Sequence, residues 1–285
     1  MNAKLKLAAV GCLISMGMAG NAMAIPTLSN PFDGPFDPFG GFDWDPSGTV
    51  MTVGPVVHGG TVTSFFMGYA TGVTQAGGGA FATPTMKQGQ NDVTGPNNYE
   101  YTSYAVITEQ VSCVPLSLFG IVPLDTPCGT DAFFFNPTGT WDIYYDESPD
   151  ANVVTGAGVA DGTRIIGGNV TSGGGSFSLT AGQIGSFAYN GDVTFTNTTF
   201  INPTLASSNA SATLQFGTSN TSWTQPTSFS NGTNGGTTAI PAGALLFQAD
   251  GNQTFVPNRV PEPATLGLIG LIAAGMGFAG RRRKV

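Results

Sequence analysis

The chain has 285 residues, of which 9% are charged, and a formal net charge of −8 at pH 7. Between residues 25 and 260 the imbalance is larger, with three Lys and Arg residues against 16 Asp and Glu residues, a formal charge of −13. Nucleic acids and anionic lipid headgroups are bound through Lys and Arg, so this composition argues against both as partners and suits divalent cations or a basic partner.

The first 24 residues are organised like a secretory signal peptide. Two lysines precede an apolar stretch from Leu7 to Ala19, which is too short for a transmembrane helix. Ala22 and Ala24 then form an A-x-A box that predicts cleavage before Ile25. The sequence therefore predicts an exported protein.

Residues 25–48 are rich in Pro, Gly, Phe and Asp. Prolines that recur every few residues interrupt both helices and strand ladders. We therefore predict an irregular arm whose phenylalanines dock on the domain that follows it.

Residues 49–250 have the pattern of strands separated by turns rich in Gly, Asn and Ser. The period-2 alternation of a half-buried strand is clearest at 141–146, and Asn190-Gly191 is a typical hairpin turn. We place flexible loops at the glycine run 173–175 and at the polar stretch 230–238. The strand candidates are 61–75, 99–112, 132–146, 164–171, 185–199 and 210–217. The pattern predicts an all-β domain, either a β-sandwich or a β-roll.

Cys113 and Cys128 are the only cysteines between residues 25 and 260. In an exported chain this pair predicts one disulfide, worth about 3 kcal/mol through loop closure. A zinc site is the alternative, but His58 is the only histidine and cannot complete a ligand set. We expect His58, beside two glycines, to lie in a turn or on the surface.

No catalytic motif for acyl transfer, metal-dependent proteolysis or phosphate binding is present in the sequence. Asp142 and Asp146 share a strand face, but about 13 Å of extended chain separates them, more than either glycosidase mechanism uses. The sequence therefore predicts a protein that is not an enzyme. A secreted carbohydrate-active hydrolase is the alternative.

Calcium is the one candidate cofactor. Asp146, Glu147 and Asp150 surround a turn, and such loops supply the carboxylate and carbonyl oxygens that Ca²⁺ takes. The spacing matches no EF-hand, and a solvated strand end is the alternative interpretation.

Aromatic side chains offer a candidate surface for glycans, because sugar rings stack on aromatic rings. Trp141, Tyr144 and Tyr145 form the densest such group. Packing in the core is the alternative role for these rings.

The C-terminal segment, 261–285, has three parts after a spacer at 251–260. An apolar run at 264–280 follows a Pro-Glu-Pro triplet and precedes a basic tail at 281–284. Seventeen apolar residues make about 25 Å of helix, the short limit for crossing a bilayer, and the basic tail would stay in the cytoplasm. We therefore predict a single transmembrane helix, with a permanent anchor as one possible role. The defining residues are Pro261, Glu262, Pro263, Arg281, Arg282 and Arg283.

This segment resembles the PEP-CTERM sorting signal of Gram-negative bacteria. The resemblance covers residues 260–285 and implies transient insertion in the inner membrane, cleavage by an exosortase, and delivery to the cell surface or extracellular matrix. A second resemblance, over 141–163, is to flocculation-associated PEP-CTERM proteins. It implies association with extracellular polysaccharide and a role in cohesion, flocculation or biofilm formation. A structural surface-layer subunit is a further alternative.

Overall fold

The computed structural model describes residues 25–89, 92, 95–179, 184–216 and 223–258. These residues include twelve β-strands and one short 3₁₀-helix. The strands are β1 Thr27–Leu28, β2 Phe39–Val53, β3 Thr61–Gln75, β4 Glu100–Ser112, β5 Asp131–Asp146, β6 Thr163–Ser178, β7 Ile184–Thr196, β8 Ile201–Asn202, β9 Leu205–Phe216, β10 Ser228–Ser230, β11 Thr237–Ala239 and β12 Leu245–Pro257. The 3₁₀-helix is Leu116–Ile121.

Eight of these strands close into one antiparallel barrel in the order β12-β2-β3-β4-β5-β6-β7-β9. The all-β prediction is confirmed, but the predicted sandwich or roll is wrong because the sheet closes on itself. Closure depends on long-range pairing, such as that of Val50 in β2 with Phe247 in β12. Two smaller antiparallel pairs, β1 with β8 and β10 with β11, lie outside the barrel.

Strand β2 begins at Phe39, so the irregular arm is shorter than the sequence predicts. Trp44 pairs with Ala70 and Thr49 pairs with Met67, and the register shifts between these pairs. Pro46 lies in that irregularity, where the ladder needs no N–H donor from it. The part of the arm that precedes β2 docks on the barrel, as expected, through buried Phe36.

Glycines predicted to form turns and loops lie inside long strands. Asn190 pairs with Ser172 and with Asn209, in the middle of β7, so the predicted hairpin turn is wrong. The run 173–175 lies within β6, where a Cβ added to Gly174 would stand 2.2 Å from the carbonyl oxygen of Phe134. Glycine is needed here for close approach of two backbones rather than for flexibility.

The C-terminal half is also more regular than its polar composition predicts. Within the predicted flexible stretch 230–238, residues 231–236 form the loop that joins β10 to β11, and the remaining residues belong to these strands. Phe229, in β10, is fully buried. Most of the predicted spacer lies in β12, the last strand of the barrel. Polar residues at alternate positions are compatible with a strand that exposes one face.

The outer face of the barrel is covered on one side only. Outward residues of β3, β4 and β5 pack against loops that follow β5 and β9, forming a second core cluster. Its members include Met67, Tyr69, Tyr104, Tyr144, Ala151, Val153, Val159, Trp223 and Phe229. The outer faces of β6, β7, β9 and β12 carry exposed residues at alternate positions. The barrel therefore has an apolar covered side and a polar open side.

Among the described residues, no helix is long and apolar enough to span a membrane. The predicted signal peptide at 1–24 and the predicted helix at 264–280 both lie outside those residues.

Candidate functional sites on the barrel

An acidic cluster forms where β4 and β5 meet the loop after β5. Glu100, the first residue of β4, pairs in the ladder with Asp146, the last residue of β5. Carboxylate oxygens of Glu100, Asp146 and Asp150 lie within 4.8 Å of one another. Glu147 is not part of this group, and it accepts a hydrogen bond from the Tyr145 hydroxyl at 3.3 Å. The structure thus joins two of the three predicted calcium ligands and replaces the third with Glu100.

Lys87 already balances the buried member of this cluster. Its Nζ lies 3.2 Å from Oε2 of Glu100 and donates to the carbonyl oxygen of Ala151 at 3.0 Å. The N–H of Ala151 donates to Oε1 of Glu100 at 2.8 Å. Burial raises the pKa of Glu100 to about 7, although the Ala151 N–H and Lys87 both act to lower it. The ion pair fastens the loop after β5 to the barrel.

The acidic cluster has only part of what a calcium site needs. Ca²⁺ takes six to eight oxygen ligands, and the cluster brings together three carboxylates, one of them facing Lys87. Burial and the nearby Asp150 raise the pKa of Asp161, which adds a fourth acid to the neighbourhood. Calcium binding stays a prediction with a changed ligand set.

The disulfide loop is held by a buried histidine. The sulfur atoms of Cys113 and Cys128 are bonded, 2.01 Å apart. His58 lies in a turn, as expected, but it is wholly buried, with Nε2 2.7 Å from the carbonyl oxygen of Phe119. The N–H of Cys113 donates to Nδ1 at 3.2 Å, so the neutral ring must carry its proton on Nε2. His58 therefore fixes the loop, a role that its sequence neighbours do not reveal.

The three predicted platform residues do not form an exposed surface. Trp141, Tyr144 and Tyr145 are 6%, 8% and 3% exposed. Trp141 and Tyr145 belong to the core cluster in the barrel lumen, whereas Tyr144 packs in the covered outer layer. Successive strand residues point to opposite faces, and here both faces are buried. Core packing is the role that the structure gives these rings.

A polar surface that sequence reasoning missed covers the open side of the barrel. We call it the amide face, because exposed amides and hydroxyls dominate it. Its members are Asn169, Thr171, Ser186, Ala188, Asn190, Asp192, Asn209, Ser211, Thr213, Asp250, Asn252 and Thr254. Nδ2 of Asn209 donates to Oδ1 of Asn190 at 2.8 Å, and Nδ2 of Asn190 donates to Oγ of Ser172 at 3.2 Å. This row crosses three strands, so it became visible only once the strand order was known.

Residues 259–284 match the model of the PEP-CTERM protein-sorting motif. The predicted sorting signal, from Pro261 to Arg283, is therefore confirmed, although its residues lie outside those that the structure describes. The motif implies exosortase processing and export to the cell envelope or surface. No curated protein and no solved structure matches the chain.

Proposed function

We propose that this exported protein is processed by an exosortase and then associates, without enzymatic activity, with extracellular polysaccharide, promoting cell cohesion in flocs or biofilms. The observation that carries the proposal is the sorting motif at 259–284. A protein delivered by this route works outside the cytoplasm, in the environment where a Gram-negative cell meets its matrix.

The chemistry of the amide face supports a glycan partner. Amide and hydroxyl groups both donate and accept hydrogen bonds, as the hydroxyls of sugars do. The residues that define the face include two carboxylates, Asp192 and Asp250, and no Lys or Arg. An anionic polysaccharide would meet no cation among these residues, so the partner should be a neutral polysaccharide.

The ion pairs and hydrogen bonds of three carboxylates support a role without catalysis. Asp142 is held by Arg164, whose Nε lies 2.6 Å from Oδ1. Glu100 faces Lys87, and Glu109 accepts hydrogen bonds from Tyr189 and Ser64 inside the barrel. A glycosidase needs two carboxyl groups that both reach the same glycosidic bond. These groups have other partners, which favours a binding protein over a hydrolase.

Processing and cohesion can be tested in the producing strain. Replacing Glu262 by Ala should leave an unprocessed chain that still ends in residues 281–285, visible by mass spectrometry of the C-terminus. Deleting the gene should reduce flocculation, and the wild-type gene should restore it while the Glu262→Ala gene should not. Unchanged flocculation in the deletion strain would refute the role in cohesion even if processing occurs as proposed.

Glycan binding can be tested with the processed protein. We expect retention on a neutral polysaccharide from the same strain, weakened several-fold by Asn190→Ala combined with Asn209→Ala. Thr199→Ala, an exposed change outside the amide face, is the matched control and should bind normally. Release of soluble sugar by the protein would favour the hydrolase alternative. Ordered self-assembly without glycan would favour a surface-layer subunit.

A further inference from the structure

A cavity of about 60 Å³ lies inside the barrel, bounded by residues from all eight of its strands. A smaller cavity of about 30 Å³ adjoins it and shares Phe66, Ile107, Phe187 and Tyr189. Protein interiors are normally packed as densely as organic crystals. Unfilled space at the centre of a barrel of this size is therefore a specific feature of the sequence.

Small residues on two strands create this space. Ala210 and Ala212 of β9 and Ser103 and Ala105 of β4 contribute short side chains to the cavity wall. Elsewhere in the lumen, inward positions carry large side chains such as Tyr101, which is fully buried. The strands between β4 and β9, on both sides of the barrel, carry the aromatic part of the wall. Its rings are Trp44, Phe66, Trp141, Phe187 and Tyr189.

The wall contains a hydrogen-bond donor with no partner among the described residues. Trp141 is 6% exposed, yet its indole N–H makes no hydrogen bond to any residue that the structure describes. A Cβ added to Gly191, which also lines the cavity, would lie 2.9 Å from Nε1 of Trp141. By contrast, Nε1 of Trp223, outside the lumen, lies 3.4 Å from Oγ1 of Thr49, to which it donates. An N–H group that lines a cavity and has no protein partner is satisfied by an acceptor in that cavity, so the occupant should carry one.

The cavity lies against a groove on the outside of the barrel. The two share lining residues Phe187, Ser211, Ala212 and Asn252 at the β7–β9–β12 wall. Much of this wall is built from small side chains and includes Gly251. A small molecule arriving from the solvent would therefore cross a thin wall to reach Trp141.

We propose that the barrel lumen binds a small, largely apolar molecule with one hydrogen-bond acceptor, of the class of short ketones, lactones and aldehydes. Its carbonyl oxygen accepts from Nε1 of Trp141, and its hydrocarbon part contacts the aromatic wall. A water-sized sphere takes about 10–15 Å³, so the space of about 60 Å³ suits about four to six non-hydrogen atoms. A sugar is excluded by its many hydroxyls, so the cavity and the amide face take different ligands, although Asn190, Ser211 and Asn252 border both.

Two matched probes test the proposal on the processed protein isolated from its producing strain. Cyclopentanone has the acceptor and cyclopentane lacks it, while their ring sizes are the same. Ligand-observed NMR should show saturable binding of cyclopentanone in the millimolar range and binding of cyclopentane at least fivefold weaker. The indole N–H resonance of Trp141 should shift with cyclopentanone only.

Three variants separate a lumen site from surface adsorption. Ala212→Leu fills the cavity and should weaken cyclopentanone binding at least tenfold. Thr199→Leu adds the same side chain at an exposed position outside the cavity, the groove and the amide face and should leave binding unchanged. Trp141→Phe removes the N–H donor, so the affinity for cyclopentanone should fall to that for cyclopentane. The proposal is overturned if neither probe binds saturably, which would mean that the cavity holds water only, or if folded Ala212→Leu protein binds as well as the wild type.

Discussion

The hydroxyl of Tyr189 donates a hydrogen bond of 2.7 Å to Oε1 of Glu109 inside the barrel, joining β7 to β4 across 80 residues of sequence. Oε2 of the same carboxyl group accepts from Oγ of Ser64 at 3.3 Å. Burial raises the pKa of Glu109 to about 7 even though both hydrogen bonds act to lower it. A carboxyl group that titrates near neutrality inside the fold ties the stability of the barrel to pH.

Replacing Glu109 by Gln should flatten the pH dependence of unfolding. The folded pKa lies above the ordinary value of 4.5, so the stabilisation is fully present below pH 4.5 and is lost as pH rises through about 7. The loss amounts to about 3 kcal/mol at 1.36 kcal/mol per pKa unit. Urea unfolding at pH 5 and pH 8 measures it. The pKa of Glu100 is raised as well, so part of the pH dependence of stability should persist in the Glu109→Gln protein.

The exposed Glu147 provides the control for that experiment. Glu147→Gln should retain the wild-type difference between the two pH values. An equal slope in Glu109→Gln and wild type would contradict the role assigned to Glu109.

Replacing Lys87 by Met should destabilise the protein strongly. The change leaves the fully buried Glu100 carboxylate without its cation, and breaking a buried ion pair on one side costs about 3–5 kcal/mol. The double variant Lys87→Met with Glu100→Gln should recover much of this loss, because no charge is then left buried. Thermal unfolding of the three proteins at pH 8 measures both effects. A Lys87→Met protein as stable as wild type would show that the pair is dispensable.

Replacing His58 by Phe should loosen the disulfide loop while keeping a ring of similar size. The variant loses both the bond to the Phe119 carbonyl and the acceptor for the Cys113 N–H. Leaving a buried group unpaired costs about 1–3 kcal/mol, and these two groups are partly buried, so each should cost about 1 kcal/mol. Limited proteolysis should then cut between residues 113 and 128 faster than in the wild type, with the disulfide intact in both. Equal cleavage rates would argue that the disulfide alone orders the loop.

Replacing Gly168 by Ala should destabilise the barrel by overpacking. The new Cβ would lie 2.1 Å from the carbonyl oxygen of Asp192 and 2.7 Å from the Trp141 ring. Overpacking of this kind costs about 1–3 kcal/mol or more. Gly129→Ala, where no atom lies within 4 Å of the new Cβ, is the matched control in thermal unfolding and should be near neutral.

The strands were predictable where the local pattern is strong, and the barrel was not. Residues 61–75 and 132–146 fall on β3 and β5, and the alternation of apolar and polar residues is clear at 141–146. The first and last barrel strands were missed, since Pro46 obscures β2 and polar residues such as Asn252 obscure β12. Closure depends on pairing of residues some 200 positions apart, which local pattern cannot report.

The candidate sites, too, were predictable only where their residues are close in sequence. Asp146 and Asp150 are close in sequence, and their proximity was expected. Glu100 joins them only because it lies opposite Asp146 in the β4–β5 ladder. The lumen cavity needs inward residues of every barrel strand, and the amide face needs four adjacent strands. Neither could be located before the strand order was known.

The pairing of β2 with β12 also sets an order of events during biogenesis. In a chain that is exported from its N-terminus, as the predicted signal peptide implies, β2 leaves the cytoplasm long before its partner. Until Leu245–Pro257 has followed, β2 has an unpaired edge, and such edges invite aggregation or chaperone binding. The barrel can close only after β12, which ends just before the sorting motif at residue 259, has been exported. Completion of folding and presentation of the motif are thereby almost simultaneous.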